Sequence, residues 1–462
     1  MQQKNKDTFS KSLDEIVEKV TFFQNQTLNQ ASPVRQYGKI TSAVGTTLRS
    51  TIENVSIGDL CLVTDVQNNI SIYAEVIALE HDEVVLLPLG TTGGLSKNAL
   101  VSKTTEQFTI AVGDHLIGKI IDGLGKEMGS ILKKSAPLEV KNKKIEQYSV
   151  MKAAPPPLSR PLVTEVFNTG VKCLDMFLTC GKGQRMAIFA AAGMGKTTLM
   201  GMITRGAKAD VIVVGLIGER GREVNEFIDL ELNEDIRRKT VLVVSTSDRP
   251  PAEHVKSGFV AHTIAEYFRD QGKSVLLLVD SITRFARAQR EVGISAKEPV
   301  SRGGFPPSVF LAFPRLMERA GNNEKGSITA FYTVLMEGDT TLEDPIADEV
   351  KSIVDGHIVM SKKLVERGHF PAVNIQTSLS RIADRIITEK HLLAARKIRL
   401  LLSKYDEIEL LLRVGEYQKG SDPLADEAIK KYNQIMDFLK QLSTKITNFN
   451  DELRNMIRIA EG

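Results

Sequence analysis

Apolar and polar positions follow two different patterns along the chain. Between about Gly38 and Met128 the apolar runs are short and punctuated by glycines, which is typical of a small β-barrel. From about 160 to 380, uniformly apolar runs alternate with helical stretches, as in a parallel sheet whose strands are covered on both faces. The strands predicted for this α/β region are Met186–Ala190, Val211–Ile217, Val241–Ser245, Val275–Val279 and Ile328–Thr333.

The two ends of the chain differ from this core. After Arg381, helix-like apolar spacing over His391–Leu412 and Asp426–Leu442 predicts a helical domain. Ser12 and Glu15 have capping-box spacing, which predicts a short helix that either packs on its own domain or docks on a partner. The predicted domains are an extension over 1–35, a β-barrel over 36–105, an α/β domain over 106–380 and a helical domain over 381–462.

A loop of small residues joins a predicted strand to a predicted helix and has the pattern of a phosphate-binding loop. In such a loop the glycines let backbone N–H groups face the phosphates, and the helix N-terminus adds a positive field. Lys196 is then expected to reach the β- and γ-phosphates of ATP, and Thr197 to ligate Mg²⁺. Ala190 stands where the strict pattern has Gly and resists positive φ, so we expect a less permissive loop entry. The predicted nucleotide-binding residues are Ala191, Ala192, Gly193, Met194, Gly195, Lys196, Thr197 and Thr198.

Two of the predicted strands end in carboxylates. Asp280 follows one of them and is expected to hold Mg²⁺ at the carboxyl edge of the sheet, where ligands of open α/β sheets lie. Glu219 follows the strand Val211–Ile217, which we expect to return beside the P-loop strand. Glu219 would then lie at the γ-phosphate, where a carboxylate can orient the attacking water. By themselves Glu219 and the charged residues after it are equally typical of a solvated helix start.

Composition and charge narrow the class of protein. The 462 residues contain 60 Lys and Arg against 57 Asp and Glu, and no Trp. This near-neutral balance does not favour a nucleic-acid binder, and it argues against a ring-shaped RNA translocase. The three cysteines lack metal-ligand spacing, as in a reduced cytosolic protein. Without a signal-peptide pattern or a membrane-spanning apolar run, we expect a cytoplasmic protein that reaches the membrane only through partners.

Four longer segments carry a family resemblance, and they are Gly218–Val224, Leu276–Glu291, Gly326–Asp339 and Asp355–Ala372. The chain resembles the export ATPases of bacterial type III secretion, a family similar to the catalytic subunit of the rotary F- and V-type ATPases. Over about residues 36–440 the resemblance implies a RecA-like P-loop core with an N-terminal β-barrel and a C-terminal helical domain. Three shorter motifs, Thr246–Pro250, Ala347–Val350 and Glu366–His369, resemble injectisome more than flagellar ATPases.

The resemblance implies roles for individual residues. Glu219 matches the catalytic glutamate, with Arg222 and Glu223 supporting the phosphate and metal shell. Arg381 matches an arginine finger offered to the nucleotide of a neighbouring subunit, which would make activity depend on assembly.

Two aromatic residues match positions that sandwich adenine in that family. They are Phe370 and Tyr417, although packing in the core explains both as well.

The resemblance also implies a function and partners. It implies a homohexameric ring that hydrolyses ATP with Mg²⁺ at the cytoplasmic face of the inner membrane and releases and unfolds chaperone-bound export substrates. The expected partners are further copies of the chain, a stator-like regulator, a central stalk protein and chaperone–substrate complexes, with no nucleic acid. A flagellar export ATPase and a rotary F- or V-type subunit are the alternatives. Because one chain carries both the catalytic set and the finger, a homo-oligomer is favoured over a rotary enzyme.

Overall fold

The chain folds into two compact units. The computed structural model describes residues 36–104, 107–132, 144–336 and 344–461. One unit contains the described residues up to 88 together with 92–104, and the other contains 89–91 and the remainder. The helix predicted around Ser12 lies outside the described residues.

The first unit is a closed barrel of six antiparallel strands in the order β1-β2-β5-β4-β3-β6. Alternate residues point inward, and Leu48, Val63 and Leu86 are fully buried in its core. Closure leaves no unpaired strand edge, so short strands interrupted by glycines are stable here. The strands are β1 (Tyr37–Val44), β2 (Thr47–Ser50), β3 (Leu60–Asp65), β4 (Ile70–Leu79), β5 (Val84–Pro88) and β6 (Leu100–Lys103).

The second unit is built on a long sheet in the order β18-β17-β11-β16-β14-β12-β13-β8-β9, with the short β15 paired to β16. Every neighbouring pair from β17 to β8 is parallel, while β18 and β9 are antiparallel at the two edges. Two further strands, β7 and β10, form a separate pair. The strands are β7 (Thr109–Val112), β8 (Lys119–Asp122), β9 (Glu127–Ser130), β10 (Glu146–Ser149), β11 (Arg185–Ala190), β12 (Val211–Glu219), β13 (Thr240–Thr246), β14 (Ser274–Asp280), β15 (Gly321–Asn322), β16 (Ser327–Leu335), β17 (Gly356–Met360) and β18 (Val373–Ser380).

Helices connect and cover the strands of this sheet. The whole of β12 is buried, as expected for apolar strands that are covered on both faces. The helices are α1 (Lys172–Phe177), α2 (Lys196–Gly206), α3 (Gly221–Glu226), α4 (Glu234–Arg237), α5 (Pro251–Asp270), α6 (Ile282–Ser295), α7 (Pro307–Met317), α8 (Pro345–Ile353), α9 (Lys362–Glu366), α10 (Ala383–Ile386), α11 (Glu389–Val414), α12 (Pro423–Leu439) and α13 (Phe449–Glu461), with a π-helical turn at Phe227–Glu231.

The predicted position of the strand that carries Glu219 is wrong. This strand, β12, lies between β13 and β14 rather than beside the P-loop strand β11. β14 and β16, which come later in the chain, fill the gap between β11 and β12. The short connection between β11 and β12 limits how far the chain travels, but it does not select the neighbouring strand. The five strands predicted for the α/β region all occur, as β11, β12, β13, β14 and β16.

Candidate nucleotide site

A glycine-containing loop joins the end of β11 to the start of α2. Gly193 and Gly195 have φ of 79° and 86°, and a Cβ at either position would meet nothing within 4 Å. Glycine is therefore favoured at these two positions by the left-handed backbone conformation and not by tight packing. Ala190 is the last residue of the extended strand β11 and is buried, so its φ is negative and the expected restriction at the loop entry does not arise.

The loop residues differ in what they can offer a ligand. Ala192, Gly193, Thr197 and Thr198 are exposed, so their backbone or hydroxyl groups are accessible. The side chain of Met194 is buried in the hydrophobic core. Met194 can therefore take part only through its backbone, while Thr197 presents its hydroxyl from the first turn of α2.

Two carboxylates lie beside the lysine of this loop. The Nζ of Lys196 donates a hydrogen bond to Oδ1 of Asp280, and it lies 3.9 Å from Oε1 of Glu219. Asp280 ends β14 and Glu219 ends β12, neighbouring parallel strands whose carboxyl ends meet at one edge of the sheet. The structure thus brings together Lys196, Asp280 and Glu219 as the sequence predicts.

The surroundings of Glu219 favour its protonated form. The carboxyl group is buried, which raises its pKa to about 8, and a hydrogen bond shared with Glu223 and the nearby charge of Asp280 act in the same direction. The positive charges of Lys196 and Arg284 oppose this shift. Oε1 of Glu219 is buried and makes no hydrogen bond of good geometry among the described residues, so its close neighbours there are the charged groups of Arg284 and Lys196.

Arg284 is a site residue that the sequence reasoning missed. Its Nε lies 3.2 Å from Oε1 of Glu219, and its Nη2 donates to Oε2 at 3.3 Å. The sequence could have indicated it, because Arg284 is the fourth residue after Asp280 and lies in the first turn of α6. Its side chain points back to the strand ends.

Arg222 does not join this cluster. Its side chain is 88% exposed, and its Nε donates to Oε1 of Glu226 at 2.7 Å. The pair is one turn apart on α3, so the guanidinium lies along the surface of that helix. The structure places Glu223 beside Glu219 instead, which keeps Glu223 within the candidate site.

Arg381 lies near the amino ends of the parallel strands, whereas the phosphate-binding loop of its own chain lies at their carboxyl ends. It follows β18, and its N–H donates to the carbonyl of Asp355 at 2.9 Å, next to β17. The Asp355 carboxylate accepts from Arg185, the first residue of β11, whereas Lys196 lies beyond the last residue of that strand. Because β11 spans roughly 17 Å at about 3.3 Å per residue, Arg381 is remote from the nucleotide site of its own chain.

The two predicted adenine-binding aromatics lie in different cavities. Phe370 is half exposed and lines a cavity of about 370 Å³ together with Lys172, Gln441 and Leu442. Tyr417 lies between α11 and α12, and its hydroxyl donates to Asp426 Oδ1 at 3.0 Å. The structure therefore does not bring Tyr417 to Phe370, and Leu442 is the apolar side chain that shares the cavity with Phe370.

Comparison with known proteins decides the family. Over 424 residues the chain is 46% identical to a type 3 secretion system ATPase of Sinorhizobium fredii, and the alignment covers 91% of this chain and 92% of that protein. The chain belongs to the type III secretion ATPase family. This confirms the family that the sequence motifs indicate.

Solved structures of type III secretion ATPases share the fold. The structure of the assembled ATPase EscN from enteropathogenic E. coli matches with a TM-score of 0.85 at 46% identity, covering 92% of this chain and 100% of that chain. EscN in complex with its central stalk EscO matches with a TM-score of 0.82 at 45% identity, covering 92% of this chain and 100% of that chain. These matches confirm the predicted RecA-like α/β core with an N-terminal barrel and a C-terminal helical region.

Two family models match separate parts of this type III secretion ATPase. Residues 170–380 match the nucleotide-binding domain of the ATP synthase alpha/beta family, and residues 387–458 match the T3SS EscN ATPase C-terminal domain. A flagellum-specific ATP synthase of Bacillus subtilis is 44% identical over 409 residues, or 89% of this chain and 92% of its own length. The predicted ATPase activity and nucleotide binding are thus properties of its family.

In the residues that the structure describes, no helix combines the length and the apolar character needed to cross a bilayer.

Proposed function

We propose that this ATPase hydrolyses Mg²⁺-ATP in a homohexameric ring and thereby energises protein export through an injectisome. The observation that carries the proposal is the cluster of Lys196, Asp280 and Glu219 beside the glycine loop. The EscN relative was solved as an assembled ATPase, which supports assembly of this chain into a ring.

Phosphate binding would use the loop backbone and Lys196. The Lys196 ammonium is paired with Asp280, so its charge is already directed into the site. A triphosphate offers this ammonium a stronger acceptor, and the N-terminus of α2 adds the partial positive charge of its free N–H groups.

The oxygen donors at the site fit Mg²⁺. Thr197 presents a hydroxyl, and Asp280 and Glu223 present carboxylates, which are the hard oxygen ligands that Mg²⁺ prefers. Mg²⁺ is usually held by one or two carboxylates together with substrate phosphates. Across the described ranges, no group of three or more His, Cys, Asp or Glu side chains is arranged to hold a metal ion. Mg²⁺ would supply charge neutralisation on the phosphate oxygens.

Glu219 is suited to activate the attacking water. A pKa of about 8 lies near the operating pH, where a general base is most effective. Glu219 would accept a proton from water while the water oxygen bonds to the γ-phosphorus and the bond to the β,γ-bridging oxygen breaks, releasing ADP and phosphate. Arg284 would hold the Glu219 carboxylate in place through its ion pair.

Arg381 would complete the site of a neighbouring copy. It is exposed and donates at 3.3 Å to the carbonyl of Lys351, so little has to be broken for it to reach a partner. An arginine supplied in trans neutralises charge that develops in the transition state. Adenine would pack on Phe370 in the cavity shared with Leu442.

The remaining partners are proposed from the family resemblance. EscN binds a central stalk, EscO, and we propose an equivalent stalk for this chain, together with a stator-like regulator and chaperone–substrate complexes at the cytoplasmic face of the inner membrane. The match to the EscN C-terminal domain supports the injectisome. The flagellar relatives make a flagellar export ATPase the second candidate.

Glu219→Gln tests the proposed chemistry. The variant removes the proton acceptor but keeps the shape of the side chain, so we expect turnover to fall by about 10²–10⁴ while ATP binding is kept. Glu226→Gln is the matched control, because Glu226 is an exposed carboxylate that pairs with Arg222 on α3. Near-normal hydrolysis by Glu219→Gln would remove Glu219 from the mechanism.

A further inference from the structure

A threonine on a neighbouring strand is bonded to the carboxylate at the end of β14. Oγ1 of Thr333, on β16, lies 2.6 Å from Oδ1 of Asp280. Thr333 is fully buried, and Asp280 is 4% exposed. β14 and β16 are adjacent and parallel at the centre of the sheet, so both partners stand on rigid elements.

The hydroxyl proton has two possible acceptors, and the distances decide between them. The carbonyl of Val279 lies 3.4 Å from Oγ1 of Thr333, against 2.6 Å for the Asp280 oxygen. A charged acceptor at the shorter distance makes the stronger hydrogen bond. Thr333 therefore donates its only hydroxyl proton to Asp280.

The same oxygen of Asp280 also accepts from Lys196. A nucleotide would draw the Lys196 ammonium toward its phosphates, since phosphate oxygens offer several charged acceptors. Thr333 would then keep its bond to Oδ1 of Asp280 while the lysine is engaged elsewhere. The terminal torsion of an aspartate is soft, so a fixed donor on one oxygen determines where the other oxygen points.

We propose that Thr333 is a positioning residue that orients the Asp280 carboxylate toward Mg²⁺ bound with nucleotide. The proposal rests on the proposed function, because it assigns Asp280 to the metal. A β-branched side chain has restricted χ1, which makes Thr333 a stiffer donor than a long flexible side chain. Partners of this kind, which hold a metal ligand without touching the metal, strongly influence metal affinity.

A purely structural role makes a different prediction. If Thr333 only satisfied a buried acceptor, its loss would lower the stability of the fold and would leave the response to Mg²⁺ unchanged. A positioning role changes how much Mg²⁺ strengthens nucleotide binding. The ratio of nucleotide affinities with and without Mg²⁺ therefore separates the two roles.

The test compares Thr333→Val with Thr333→Ser. Affinity for a fluorescent ADP analogue is measured by titration in Mg²⁺ and in EDTA, and thermal unfolding is recorded for each variant. Valine keeps the shape but removes the hydroxyl, so we expect the gain in affinity on adding Mg²⁺ to shrink by about tenfold or more. Affinity in EDTA should stay at the wild-type level, and Thr333→Ser should keep the full Mg²⁺ response.

Thr329→Val is the matched control. Thr329 is buried on the same strand, and its hydroxyl accepts a hydrogen bond from Gly183 N at 2.9 Å, at the end of the strand away from Asp280. The control should lose stability and keep the Mg²⁺ response. If Thr333→Val does not fold, Thr333→Ala removes the same hydroxyl without placing a methyl group beside the carboxylate.

Two results would overturn the proposal. One is a hydroxyl-free variant with the wild-type Mg²⁺ response, and the other is a Thr333→Ser variant with the response of valine. Failure of the proposed function would look different, because wild-type protein would then show no Mg²⁺-strengthened nucleotide binding at all.

Discussion

The carboxyl ends and the amino ends of the parallel strands form two edges of the sheet, called here the carboxyl edge and the amino edge. The two edges differ in how their charged side chains are paired. At the carboxyl edge Lys196, Asp280, Glu219 and Arg284 are buried or half-buried and bond to one another. At the amino edge Arg381 is exposed, and its guanidinium donates to the carbonyl of Lys351. The first edge is organised within one chain, whereas the second presents a cation outward.

This difference explains why one chain would need copies of itself. A nucleotide bound at the carboxyl edge finds a lysine, carboxylates and Arg284 there, but Arg381 of the same chain lies on the far side of the sheet. In a ring of identical subunits each contact pairs one surface with a different surface of the neighbour. The amino edge of one copy can then face the carboxyl edge of the next.

Removing the exposed guanidinium of Arg381 should have the largest effect on turnover. In Arg381→Ala we expect turnover to fall by about 10³ or more, the range for an arginine supplied in trans. Nucleotide affinity should change little, because Arg381 does not contact the site of its own chain. Steady-state hydrolysis and nucleotide titration check the two halves of this prediction, and weakened binding with unchanged turnover would contradict it.

A substitution at Arg284 tests how the charges at the carboxyl edge control the pKa of Glu219. Arg284→Ala removes a positive charge that lowers the pKa of Glu219, so that pKa should rise further. The rising limb of the pH–rate profile should therefore move to higher pH, and turnover at neutral pH should fall by about 10².

Arg222→Ala is the control for Arg284. The Arg222 guanidinium is exposed and pairs with Glu226, so we expect its turnover and its pH–rate profile to remain close to wild type. Equal losses in the two variants would mean that Arg222 moves into the site when nucleotide binds.

Substitutions in the cavity proposed for adenine should give the smallest effect. Phe370→Ala removes a stacking surface, so we expect nucleotide affinity to drop by about tenfold, at the lower end of base–aromatic stacking energies of about 1–3 kcal/mol. Tyr417→Ala should leave affinity within about twofold, since Tyr417 lines a different cavity. The reverse ranking in a nucleotide titration would restore Tyr417 as the adenine contact.

The sequence determines the strands and the strand-end chemistry but not the strand order. Buried strands such as β12 need apolar residues on both faces, and Lys196, Asp280 and Glu219 are read directly from strand ends and the glycine loop. Strand order depends on long-range pairing, which is why the insertion of β16 and β14 between β11 and β12 was missed.

The sequence also does not determine the direction in which each charged side chain points. Arg222 and Arg284 both belong to motifs of the family, yet only Arg284 points to Glu219. A helix start exposes some of its charged residues and turns others inward, and that choice depends on packing around the helix. The separation of Tyr417 from Phe370 has a similar cause, because the Tyr417 hydroxyl donates to Asp426 in another part of the helical region, and the adenine role of Tyr417 stays a prediction.

Mixing two inactive variants tests most directly whether each nucleotide site is completed by a neighbouring copy of the chain. Lys196→Ala keeps Arg381, and Arg381→Ala keeps Lys196, so under the proposed function neither variant should hydrolyse ATP alone. Random assembly of equal amounts should restore about a quarter of wild-type turnover, because about one interface in four then joins an intact loop to an intact arginine. A mixture no more active than its two components would show that the site is not shared between copies.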